Sequence, residues 1–135
     1  MRVVFVAFVA AALLASCGSQ QDTTPLKELR RVKVGMLDVV LLSPGDTLQR
    51  GKGTFALEFR DAGGALVDVG TVTVGASMPM PGMAPMFGEC TVMPTSTKGR
   101  YGVASDLGMA GTWRLQIVWD GPAGRGSVSM PGAAL

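Results

Sequence analysis

Glycine and proline punctuate this chain at short intervals, and that spacing restricts it to short elements. With 19 glycines and 8 prolines, the intervals suit strands joined by turns better than long helices. Within them, apolar residues alternate. Phe55, Leu57 and Phe59 interleave with Ala56, Glu58 and Arg60, which predicts a strand over 53–60 with one face buried and the other wet. Trp113, Leu115, Ile117 and Trp119 interleave with Arg114, Gln116 and Val118 in a second such pattern. A first strand is expected over Val32 to Leu42, ended by Ser43-Pro44-Gly45-Asp46. Others are expected at Leu66 to Gly75, Glu89 to Met93, Tyr101 to Ser105 and Ser127 to Met130, with Leu26 to Arg30 as one short turn.

About seven short strands with turns every ten or so residues predict an all-β fold, an antiparallel β-sandwich of immunoglobulin-like architecture. If consecutive strands run antiparallel, every second connection lies at the same end of the sandwich. Loops 43–52, 77–86 and 106–111 are then neighbours.

The amino-terminal segment follows a different logic. Arg2 precedes an almost wholly apolar run, Val3 to Ala15, that ends in the small residues Ala15, Ser16 and Cys17. These are the three parts of a secretory signal. The run is shorter than the roughly 20 apolar residues a bilayer-spanning helix needs. Leu14-Ala15-Ser16-Cys17 resembles the lipobox of bacterial lipoproteins, so residues 1–16 are expected to be removed and Cys17 acylated. Residues 17–31 then form the lipidated cysteine and a tether, whose stretch Gly18 to Thr24 offers nothing to bury. Residues 32–135 form one domain, because the length leaves no room for a second. The expected address is the cell envelope. Gly18 and Ser19 carry no acidic retention signal, which favours an outer membrane, facing the periplasm, if the cell has one.

Composition excludes several functions. Once Arg2 leaves with the leader, eleven basic residues face ten acidic ones, and that balance makes no electrostatic case for nucleic acid. The chain has no histidine, which removes imidazole metal sites and the usual base of Ser-His-Asp and Cys-His catalysis. No carboxylate pair has a spacing that calls for acid–base work, so no catalytic residue is assigned.

One segment carries chemistry. Ser77 to Phe87 places Met78, Met80, Met83 and Met86 within nine residues, among three prolines and a glycine that forbid a helix. Thioether sulfur is soft and prefers Cu(I), whereas Zn, Mg, Ca and Mn want nitrogen, thiolate or oxygen. Met109, on a loop expected at the same end, could add a further sulfur. Cys90 is the one thiol left once Cys17 is acylated; it reads either as a small buried hydrophobe or as a thiolate ligand beside Met86 or Met93. The methionines themselves read alternatively as rim packing or as an adaptable protein-binding surface.

Gly53 to Asp61, the Met-Pro-Met-Pro-Gly-Met-Ala-Pro-Met segment, Gly99-Arg100-Tyr101 and Met109-Ala110-Gly111-Thr112-Trp113 occur in the order seen in YtkA-like domains, which are related to FixH. The chain resembles that family over about Val32 to Val118. The resemblance implies a small immunoglobulin-like domain of the cell envelope, in a family found alone or fused to adaptor proteins of metal efflux pumps and in several cases associated with copper. Many relatives carry a Met-Gly-His element, and this chain lacks histidine, so only Met78, Met80, Met83, Met86 and Met109 match positions suited to a sulfur site. The expected function is therefore non-enzymatic: a lipoprotein held at the membrane that binds Cu(I) for buffering or transfer to a metal efflux or oxidase-assembly protein, with no cofactor required. The alternative is an interaction module of such a complex that binds no metal.

Overall fold

The computed structural model describes residues 25–135; the leader, Cys17 and the stretch Gly18 to Thr24 lie outside them. Eight strands follow in order: β1 (Lys27–Val34), β2 (Leu37–Ser43), β3 (Gly51–Arg60), β4 (Thr71–Met78), β5 (Met86–Pro94), β6 (Arg100–Leu107), β7 (Gly111–Gly121) and β8 (Gly124–Ala134). All their pairings are antiparallel, in the hydrogen-bonded order β1-β2-β3-β6-β5-β4-β7-β8. The array folds over at β5. Met86 to Gly88 pair with β4, whereas Glu89 to Pro94 pair with β6. One strand thus serves two facing layers, and the architecture is an all-β, immunoglobulin-like sandwich.

The layers bury their facing sides against each other. Trp113, Leu115, Ile117 and Trp119 point inward from β7, as their alternation predicts, and share one core with Leu57, Phe59 and Val103 of the other layer. Phe59 sits within an aromatic group, edge-on to Tyr101 at 5.6 Å and to Trp119 at 5.3 Å between ring centroids. Such tilted contacts place a positive ring edge on a negative ring face. The Tyr101 hydroxyl donates to the Gly70 carbonyl at 2.8 Å, which pins the 61–70 connection to the core.

Three expected boundaries are corrected. The stretch Val32 to Leu42 is not one strand but parts of two, because Gly35, at φ 61°, and Met36 close a two-residue hairpin between β1 and β2. Leu26 to Arg30 is accordingly no turn; β1 starts at Lys27, inside the segment read as tether. The described residues therefore hold eight strands where about seven were expected. The strand expected from Leu66 starts instead at Thr71, and residues 61–70 form the connection before it, where the Asp61 carboxylate accepts from the amides of Gly63 and Ala65.

The second face of β3, exposed at Lys52 and Thr54, is not wet from Ala56 onward. Glu58 is 3% exposed, and Ala56 packs with Val40 and Leu42 in a small cluster outside the main core. Glu58 accepts from the guanidinium groups of both Arg60 and Arg100, the latter at 3.1 Å. A carboxylate can be buried when two charge-assisted partners satisfy it.

The strand parity fixes the two ends. Odd-numbered strands start, and even-numbered strands finish, at one end, where the loops 44–50, 79–85 and 108–110 meet. Leu48 and Ala134 form a bridge there, and the Leu48 amide donates to the Ala133 carbonyl at 2.8 Å. The expected neighbourhood of these three connections is thus present.

Candidate functional site

The methionine segment forms a hairpin that projects from this end. Met78 and Met86 are its last registered pair, so the loop between them holds Pro79 to Pro85. Its tip, Met80-Pro81-Gly82-Met83, closes as a tight turn in which the Met83 amide donates to the Met80 carbonyl at 3.0 Å. The prolines restrict the backbone on both sides, so the methionine side chains are carried on a pre-ordered frame.

The five methionines fall into two groups. Met78 is buried and belongs to the main core, and Met86 is half-buried against it. Their sulfurs lie along the neighbouring 108–111 segment. Met78 Sδ is 3.6 Å from where a Cβ on Gly111 would stand, and Met86 Sδ is 3.9 Å from the equivalent point on Gly108. Met109 lies between those two glycines. Its carbonyl accepts a hydrogen bond from Trp113 Nε1 at 3.0 Å, which ties the loop to the largest buried side chain of the core. Met80 and Met83 ride on the hairpin tip, and Met83 is 69% exposed. The fold thus unites Met78, Met86 and the Met109 loop at the base, with Met80 and Met83 above them.

Cys90 stands apart from this group. It shares the inward face of β5 with Met86 but lies four residues further along, about 13 Å at the rise of a strand. Met93 faces the opposite side, exposed. Burial raises the Cys90 thiol above its usual pKa, which favours the protonated form and disfavours a thiolate ligand. Among the described residues no three of Asp, Glu and Cys converge as a metal-holding group, so the thioethers are the ligand set to consider.

Phe87 was not singled out in the sequence. It follows Met86, points outward from β5 and is 75% exposed; its place between the inward-facing Met86 and Gly88 was the available signal. The ion group of Glu58, Arg60 and Arg100 was also missed, because an alternating Glu and Arg pattern reads as a solvated face. Glu58 and Arg100 border a shallow groove of about 860 Å³ on the outer face of the first layer, lined in part by Pro25, Ala56 and Met93.

Among solved structures, the chain is similar to the crystal structure of the Lin-41 filamin domain, with 16% identity and a TM-score of 0.42, covering 66% of this chain and 81% of that one. No curated protein matches the chain. The family model described as YtkA-like matches residues 31–118, which takes in every strand from β2 to β6, the methionine hairpin and most of β7. The chain belongs to the YtkA-like family.

Proposed function

We propose that this protein is a non-enzymatic lipoprotein of the cell envelope that binds Cu(I) through its methionine end and buffers it or passes it to an envelope partner. One observation carries the reading: the Met78–Met86 pair that closes the hairpin lays both sulfurs along the loop bearing Met109. Sulfurs from the two hairpin strands thereby stand beside the connection that bears Met109. Neutral thioethers bind Cu(I) without first losing a proton and suit a soft, weakly hydrated ion. The partly exposed Met109 and the exposed Met83 give a membrane-embedded partner access to the bound ion.

The test is a competition for Cu(I) between residues 18–135 and a colorimetric chelator. All eight strands and both apolar clusters lie within 25–135, so this portion retains the whole core. A variant with Met78, Met80, Met83 and Met86 changed to Leu keeps side-chain volume nearly constant. The parent should withdraw Cu(I) from the chelator and the variant should not, with a response in the parent that is flat between about pH 6 and about pH 8 because no ligand must ionise. Equal competition by both proteins would remove the hairpin from any copper role.

A further inference from the structure

The parity of the strands decides where a membrane anchor would attach. With an even number of strands, the chain enters and leaves the sandwich at the same end, and that end is the methionine end. Lys27 begins β1 opposite Ser43. On the same rim the Arg50 amide donates to the Leu135 carbonyl, and the Leu135 amide donates to the Leu48 carbonyl. Had the first two strands been one, the chain would enter at the far end, the length of a strand away. Cys17 precedes Pro25 by eight residues, a reach of at most roughly 29 Å even when fully extended.

Among the described residues, the same end carries most of the exposed large apolar side chains. Leu26, Met83, Phe87, Met109 and Leu135 stand there, with Phe87 75% and Leu135 77% exposed. At the far end Met36 is exposed on the β1–β2 turn, and Met93 and Val118 lie singly on strand faces. They ring that end, Leu26 and Leu135 where β1 and β8 begin and finish and Phe87 on β5, and large apolar groups exposed at one end of a domain mark an interaction surface. Around this tip Arg50, Lys52 and Arg114 make no ion pair among the described residues, and neither do Glu89 and Asp106. The charges nearly cancel, so attachment here depends on apolar insertion more than on electrostatic attraction.

We infer that the methionine end is a bilayer-seating surface: Phe87, Met83, Met109 and Leu135 enter the headgroup–acyl boundary beside the anchor, so that the thioethers face the membrane. This rests on the lipoprotein reading for the position of the anchor, but the apolar tip should bind lipid without it. Single weak apolar contacts and a lipid chain reinforce each other at a membrane, as two anchoring signals do.

Residues 18–135, which lack the acylated cysteine, are incubated with vesicles of phosphatidylethanolamine and phosphatidylglycerol and sedimented. The parent should partition onto the vesicles. Changing Phe87→Ser together with Leu135→Ser should lower that partition about tenfold or more, from the apolar area withdrawn from lipid. Phe87→Leu, which keeps an apolar tip, should retain most of it, and Met36→Ser at the far end should leave it unchanged. The inference is overturned if the parent stays in the supernatant, if the double variant sediments as the parent does, or if Met36→Ser lowers partition by the same factor. A concentration-dependent dimer in place of vesicle binding also overturns it, and gives the surface to a second copy. Neither Phe87 nor Leu135 carries sulfur, so Cu(I) titrations separate the two readings. A double variant that loses vesicle binding but still competes for Cu(I) supports both, and a parent that competes for Cu(I) but never sediments removes the membrane reading alone.

Discussion

Among single residues, burial assigns chemistry that residue type leaves open. Cys90 is a ligand or a small hydrophobe by composition; its place on the inward face of β5, opposite Ser105, favours the second. Its thiol pKa is raised by desolvation, so the folded state favours the protonated form. The sign follows: the associated stabilisation is present below the thiol's unfolded pKa and is lost as pH rises through the higher folded value. Alkylation by iodoacetamide at about pH 8 should therefore run about tenfold or more slower for Cys90 than for a short peptide thiol, and should accelerate above the peptide's own pKa. A rate equal to the peptide's would contradict the burial argument. Glu58 is the converse case. Its position between the inward-facing Leu57 and Phe59 assigns it to the outer face of β3, where a carboxylate normally meets water, yet Arg60 and Arg100 close over it.

Elements depend on one another in the same way, and the methionine hairpin relies on its neighbour as much as on its own prolines. Gly111 begins β7 at φ 141°, and a Cβ there would stand 2.9 Å from Met78 Cε. Alanine at this position must strain its backbone, and the flexible end of the Met78 side chain must shift to admit it. Gly111→Ala should cost about 1–3 kcal/mol in a denaturant melt and weaken Cu(I) competition together with it. An unchanged midpoint would mean that the hairpin and the β6–β7 loop are packed less tightly than the distances imply. The alternating pattern of β7 was legible because a strand with one buried face must repeat every second residue. The turn between β1 and β2 left a trace in Gly35, but the β-branched residues on both sides of it read equally well as one continuous strand.

For the molecule as a whole, that one hairpin changes which end faces what. β1 adds Leu29, Val32 and Val34 to the margin of the core and covers the edge of β2. A chain beginning at Leu37 exposes that edge and loses those contacts, at roughly 2–5 kcal/mol if each side chain is half as buried as a core residue. Its thermal midpoint should fall by about 10 °C or more; a fall of a degree or two would make β1 an ornament rather than a part of the fold. Residue type and short-range periodicity were enough to read the class of fold, the inward set of β7, the turn-rich methionine segment and the absence of imidazole, because each of these is a property of a local window. The burial of Glu58 and the end at which the chain enters came only with the folded arrangement. They depend on which strands become neighbours and on whether their number is odd or even, and no local window encodes either.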